Sequence, residues 1–347
     1  MRPLARYILR TTLFYIALWF FALFANFLLP RIMPGEPMLR FIERLYLWGG
    51  AYGGGTGGSG VFVEKAEELL RFYVKQFALD RPPHEQFIPW LINFFQGRWG
   101  LSLAFYPEDS FSVVMRHLPN TLMLLVPSLI VSWIVGNYIG AYVAFKGGKL
   151  DKIALPILQF ISRTPAYWLI IVLIYVFGVQ LGVLPITGKP LYMTPSLTWE
   201  YIKAQLYHWI LPMTTLTTIS IGGWSIGMRA YVIYQLNSNY VRYSTSLGVS
   251  DKTIAKYVFR NAINPQLISF AIAFGALFSG NLLVEMVYGY PGIGAVLARA
   301  IGQQDIFLMQ AIFSFSATML VLANYVADIM LGILDPRIRR GLAEVTR

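Results

Sequence analysis

The sequence predicts an all-α, polytopic membrane protein with six transmembrane helices and both termini cytoplasmic. Three observations lead there. The 347 residues are 56% apolar and only 13% charged, about half the charge of an ordinary soluble domain. Six apolar stretches (8–29, 119–144, 153–181, 208–229, 265–287 and 306–333) each approach or exceed the roughly 20 residues that a bilayer core requires. The charges are also sided. With the N-terminus inside, Arg2, Arg6 and Arg10 give +3, and Lys146, Lys149 and Lys152 against Asp151 give +2. Arg229, Arg242, Lys252, Lys256 and Arg260 against Asp251 give +4, and residues 334–347 give +2. These four segments hold the whole +11 excess, whereas 30–118 carries nine basic and nine acidic residues. That is the positive-inside pattern. Basic residues divided among short loops also argue against nucleic-acid binding.

The elements follow in order. The first stretch, "TTLFYIALWFFALFANFLL", is too long for a signal-peptide core and lacks a small-residue cleavage site, so 1–29 is a cytoplasmic N-terminus plus a retained helix. Residues 30–117 form an extracytoplasmic segment. Its run "GGAYGGGTGGSG" (49–60) reads as a flexible insertion, because no strand leads into it and no Lys-Ser/Thr follows. Phe62, Leu69, Leu70, Tyr73, Val74 and Phe77 then recur at helical spacing before Pro82 and Pro83 stop the pattern. Residues 118–335 hold the other five spans, with a basic loop at 229–264 between the fourth and fifth, and 336–347 form a basic cytoplasmic tail.

Chemistry is sparse. There is no cysteine, which removes disulfides and thiolate ligands. His84, His117 and His208 are far apart and show no metal-ligand spacing. No phosphate-cradling loop occurs; "GVLPITGKP" (182–190) has the wrong spacing and ends in proline. No Ser/His/Asp pattern or carboxylate pair stands out, so an enzyme is not expected, nor a metal or cofactor bound by this chain.

The basic stretch "YVRYSTSLGVSDKTIAKYVFRNAINP" (240–265) is anomalous between two apolar spans. Tyr240 to Leu247 suit a short helix, and Gly248 can take the left-handed conformation that ends it. Ser250 or Asp251 then suits the cap of a second helix running to Pro265. Two short helices in an elbow make a knob; otherwise the stretch is a basic loop held by anionic headgroups.

These residues resemble the cytoplasmic loop of permeases of binding-protein-dependent ABC importers, in particular the dipeptide/oligopeptide branch. "MPGEP", "ALDRP", "RHLPNTL", "GVLPITG", "VEMVYGYPGIG" and "VADIMLGILDPRIR" resemble the same family in order along the chain. The resemblance implies a type I ABC importer permease fold. It makes Arg242, Tyr243, Thr245, Ser246, Leu247, Gly248, Val249, Ser250 and Asp251 an ATPase-coupling element. It also implies a second related permease, two ATPase subunits that carry the ATP and Mg, and an extracellular solute-binding protein, all in a membrane-lipid setting. The expected function is import of dipeptides or oligopeptides; the alternatives are oligosaccharide import by the same architecture, or ATP-independent secondary transport.

"VYGYPGIG" cannot continue a lipid-exposed helix cheaply, so the fifth span should end near Tyr288. Tyr288, Gly289, Tyr290, Pro291, Gly292 and Gly294 read as an outer turn or gate, or as a turn anchored by its tyrosines among headgroups. Ionisable residues within spans need a partner or a wet cavity. Arg163, beside Pro165 and some ten residues into its span, either meets an anionic substrate group or pairs with Glu285 or Asp328, the internal pair being the first expectation. Glu285 lies near the outer end as an interfacial group, Asp328 near the inner end as a cap of the neighbouring loop. Asn281, Glu285 and Arg163 are the candidate lining of a translocation path.

Overall fold

The computed structural model describes residues 3–32, 81–191 and 198–334, with single positions 71, 75 and 196. The Gly-rich run, the helix expected at 62–77 and the tail 336–347 lie outside the described residues. Everything described is helical apart from connections and one isolated bridge, Leu101–Asp109.

Helix α1 (Pro3–Ile32) carries the first apolar stretch. Helix α2 (Pro83–Phe95) follows, and α3 (Ser110–Lys146) starts where the Asp109 carboxylate accepts the Phe111 N–H at 2.8 Å. Helix α4 (Gly148–Arg163) meets α5 (Ala166–Leu173) and its π-helical continuation Ile174–Gln180 at a 95° bend. Pro165 causes the break: it supplies no N–H and forces Thr164 out of helical geometry, to ψ 125°. Helix α6 (Trp199–Leu236), the short α7 (Asn239–Ser246) and α8 (Asp251–Ala276) come next. A 3-10 turn (Leu277–Ser279) leads into α9 (Leu282–Val287), α10 (Ile293–Gly302) and α11 (Ile306–Leu334).

Four described helices, in α1, α3, α8 and α11, are long and apolar enough to cross a membrane, and the bent α4–α5 pair makes five. The fourth apolar stretch lies inside α6, 38 residues long. Thr214, Thr215, Thr217, Thr218, Ser220, Gly222 and Gly223 dilute its apolarity.

Two helix boundaries differ from expectation. The second helix of the basic stretch does not stop at Pro265; α8 runs through it to Ala276. The face carrying Ile254, Val258, Ala262 and Gln266 stays buried across the proline. The Gln266 carbonyl accepts the Trp133 indole N–H at 3.2 Å, so packing outweighs the proline's local preference. The fifth span likewise ends at Ser279, eight residues before Val287, because Gly280 takes φ +70° and turns the chain back into α9.

Helix α3 lies against α6 at glycines: a Cβ at Gly140 would stand 2.2 Å from the Ser225 carbonyl oxygen. Helix α1 is riveted to α11 by Asn26 Nδ2, which donates to Ser314 Oγ (2.5 Å) and the Gln310 carbonyl (3.1 Å). Helix α2 runs antiparallel along α1: Phe87 and Trp90 pack on Phe27, and Phe95 on Trp19. At 1.5 Å per residue, α2 therefore reaches about 15 Å down α1 from Leu29. The following loop inserts Trp99 and Ala104 into a core with Ile293, Leu308 and Ile312.

Candidate functional site

Helices α7 and α8 meet in an elbow at Gly248. The elbow is built by local chemistry: the Gly248 N–H bonds the Thr245 carbonyl (3.0 Å) and the Val249 N–H bonds the Ser244 carbonyl (3.1 Å). This paired pattern closes a helix around a left-handed residue, and Gly248 has φ +72°. Ser250 holds the N-cap position of α8, its hydroxyl contacting the Thr253 hydroxyl at 3.0 Å rather than a backbone N–H. Val241, Ile254, Val258 and Ala262 anchor the elbow on Ala141, Ala144, Met228 and Val232. Burying several such side chains contributes about 1.5–3 kcal/mol each, which holds the knob rigidly on α3 and α6.

What the anchor leaves outside is the knob's tip. Arg242, Tyr243, Thr245, Ser246, Leu247, Gly248, Ser250 and Asp251 are exposed and Val249 is half-buried. Tyr243 and Leu247, one turn apart, expose 67% and 64% of their surface. An apolar pair held out on a basic elbow suits contact with a partner surface, protein or membrane, better than contact with water.

The turn at 280–295 is a closed structure. Glu285 is 0% exposed, which corrects the interfacial and path-lining expectations. Its carboxylate accepts the N–H groups of Gly294 (2.6 Å), Asn281 (3.2 Å) and Ala295 (3.3 Å) and the Thr121 hydroxyl (3.1 Å). The Thr121 oxygen in turn accepts the Ile293 N–H at 2.7 Å. A carboxylate at the N-terminus of α10 satisfies donors that the helix itself leaves unpaired. Asn281, expected on a path, instead caps α9 through the Val284 N–H (3.1 Å).

Nor are the tyrosines headgroup anchors. Tyr288 is buried with its hydroxyl 3.0 Å from Thr215 Oγ1, and buried Tyr290 donates to the Asn120 carbonyl at 2.6 Å. Pro291 accepts from Asn120 Nδ2 (3.0 Å), and Gly289 turns at φ +60°. The set Tyr288, Gly289, Tyr290, Pro291, Gly292 and Gly294 is thus brought together and clamped to α3, with a second tie where the Gly188 N–H meets the Tyr288 carbonyl at 2.6 Å.

Arg163 is exposed at the C-terminus of α4 and makes no ion pair among the described residues, which overturns the expected internal pair. Glu285 is occupied as above. Asp328 accepts the Tyr15 hydroxyl at 2.6 Å, and its carbonyl the Tyr7 hydroxyl at 3.1 Å, so it ties α11 to α1 rather than capping a loop.

Sequence reasoning missed two acids. Asp151 receives Arg229 Nε and Nη2 at 2.5 and 2.6 Å, joining α4 to α6 beside the knob's anchor. Asp305 is buried and accepts Ser102 Oγ (2.6 Å) and the N–H groups of Ala104 (2.9 Å) and Leu308 (3.0 Å). Burial pushes the Asp305 carboxyl above its ordinary range, against the opposing pull of those hydrogen bonds. Neither partner set shows a sequence signal, because the residues are far apart in the chain.

With this geometry in view, a family model described as "binding-protein-dependent transport system inner membrane component" matches residues 136–340. The chain belongs to that family. The permease is 26% identical over 338 residues to the oligopeptide transport system permease protein of Bacillus subtilis (strain 168), covering 96% of this chain and 99% of the relative. It is 28% identical over 278 residues to the glutathione transport system permease protein of Escherichia coli (strain K12), covering 80% and 86%. A putative peptide transport system permease protein of Brucella abortus (strain 2308) is 27% identical over 316 residues, covering 90% and 92%. The matched region includes the knob and the clamped turn, and the permease is a multi-pass inner-membrane transport component.

Proposed function

We propose that this permease imports dipeptides or oligopeptides, pairing with a second, related permease to form the path. Two separate ATPase subunits bind ATP and Mg and do the hydrolysis, and an extracellular binding protein delivers the cargo. The observation that carries the reading is the knob: a rigidly anchored elbow whose apolar tip, Tyr243 and Leu247, stays uncovered. The peptide class is supported by the names of the relatives, which align over most of their length with this chain.

In this reading the Arg-rich ends face the cytoplasm, giving six spans once α6 and the α4–α5 pair are counted. The nine knob residues seat in the ATPase cleft, and ATP-driven closure there pushes α8 and, through Met228 and Val232, α6. The turn at 288–294 closes the outer end as a rigid lid on α3. The decisive experiment is purification of the tagged permease from its own host followed by reconstitution. An ATPase pair and a second permease should co-purify, and vesicles should take up peptide only with ATP. Uptake by this chain alone, without any ATPase, overturns the proposal.

A further inference from the structure

The exposed surface of α4 is divided lengthwise. Leu150, Ile153, Ile157 and Phe160 form an exposed apolar stripe. Beside it run Lys149, Lys152, Gln159 and Arg163, also all exposed, at spacings that place them along one side of the helix. The remaining side is the packed one: Asp151 binds Arg229, Leu158 is buried, and a Cβ on Gly222 of α6 would stand 2.8 Å from the Ser162 nitrogen. Resting on the peptide-importer reading, we propose that the polar stripe Lys149–Lys152–Gln159–Arg163 lines the cytoplasmic part of the path and engages a carboxylate of the peptide cargo.

Three observations point to cargo rather than to a structural or lipid role. First, none of Lys149, Lys152 and Arg163 makes an ion pair among the described residues, and the two acids nearest in expectation to Arg163 are committed elsewhere. Second, local helix chemistry does not ask for the stripe. A C-terminal Arg163 suits the helix dipole, whereas Lys149 and Lys152 sit in the first turns, where a positive charge is disfavoured; the positive-inside pattern accounts for those two lysines at the cytoplasmic end but not for Gln159 or Arg163 further along the span. Third, the stripe changes depth. Helix α4 touches α6 at Arg229 near one end and at Gly222 near the other, seven residues apart or about 10 Å along α6. Headgroups occupy one level and cannot follow such a climb, whereas a charged side chain inside the bilayer region requires a protein partner or a wet path.

The stripe also ends at the 95° bend, where the backbone leaves helical geometry, and irregular backbone within a membrane is tolerated where it faces protein or a cavity. The planar guanidinium of Arg163 at that point presents the fork that carboxylates fit in bidentate fashion. The lysines below it provide successive weaker sites leading to the cytoplasm.

The absence of cysteine from the chain leaves this subunit with no background thiol, and the transporter without an introduced cysteine supplies the blank for its partners. Single variants Lys152→Cys, Gln159→Cys, Arg163→Cys and, as a control, Ile153→Cys are made in the assembled transporter with its native partners. They are then exposed in inside-out vesicles to membrane-impermeant methanethiosulfonate ethylsulfonate. The three stripe positions should react and Ile153→Cys should not. Trialanine should slow the reaction at Gln159→Cys severalfold. Trialanine amide, at a concentration the wild type imports at the same rate, should not slow it. In uptake, Arg163→Gln should lower trialanine transport about tenfold, the loss of roughly one charge-assisted hydrogen bond, with Arg163→Lys restoring part of it and amide transport unchanged. Unreactive Gln159→Cys and Arg163→Cys would mean that lipid or a partner subunit covers the stripe, and equal protection by both peptides would remove the carboxylate contact; either result overturns this inference alone. If the wild type imports no peptide with ATP, the peptide reading itself falls, and this inference with it.

Discussion

Gly292→Ala adds one methyl group where the turn has no room, and its cost follows from distances. The new Cβ would stand 2.2 Å from Glu285 Oε2 and 2.5 Å from Thr121 Oγ1. Ordinary contact begins near 3.4 Å, so the carboxylate must retreat by about 1.2 Å or the backbone must yield. A retreat of that size carries the 2.6 Å bond to the Gly294 N–H beyond hydrogen-bonding reach and disturbs the Thr121 contact. Two buried donors then lose a charged acceptor, at about 1–3 kcal/mol each, so the expected loss is about 2–6 kcal/mol. The backbone of Gly292 is extended (φ −104°, ψ −177°), so conformational strain adds nothing to this figure. The measurement is thermal unfolding of the purified permease in detergent, followed by size-exclusion retention, for Gly292→Ala, Glu285→Ala and the double variant. Glu285→Ala should itself be strongly destabilised, because four donors lose their acceptor. It also removes the carboxylate from the space, leaving the 2.5 Å approach to Thr121 Oγ1, so adding Gly292→Ala to it should cost clearly less than in the wild-type background. A Gly292→Ala protein as stable as wild type, or a methyl group equally costly in both backgrounds, would refute the clamp.

Other outcomes are expected. Gly248→Pro cannot adopt φ +72° and loses the N–H that bonds Thr245; the permease should still insert, while ATP hydrolysis by the complex continues without peptide uptake. Gly248→Ala meets no neighbour within 4 Å and pays only for its left-handed backbone, about 1 kcal/mol, so it should retain most uptake. Gly275→Ala would place its Cβ 2.2 Å from that of Ala323, prising α8 from α11; a stability loss of about 1–3 kcal/mol is expected in the same unfolding assay. A double-mutant cycle on Asp151→Asn and Arg229→Gln should give a coupling of about 1–2 kcal/mol, above an exposed surface pair because the contact is bidentate and largely covered, and the coupling should shrink in high salt.

Features written in neighbouring residues were legible. Gly248 could be read as a left-handed stop because its conformation is decided by three or four peptide units, and the structure closes the elbow with bonds between residues 244 and 249. The break at Thr164–Pro165 is similarly local. Pro265 shows the limit: its local preference ends a helix, yet Gln266 is held by Trp133 and donates to the Trp224 carbonyl at 3.3 Å, so tertiary contacts carry the helix through. Glu285 shows it more sharply. Its hydroxyl donor, Thr121, lies 164 positions away, so the sequence offered an acid near a span end, while folding turned it into a sealed hub.

The sequence by itself determined the solvent, the sidedness expected of the charges, the helical class and the knob's elbow, since each depends on composition, on apolar run length or on a few adjacent backbone groups. Only the tertiary structure decided the fate of the ionisable residues. Whether Glu285, Asp328 and Arg163 pair, cap or remain uncovered depends on which donors distant helices bring within about 3 Å, and hydrogen bonds that short are settled by packing rather than by order along the chain.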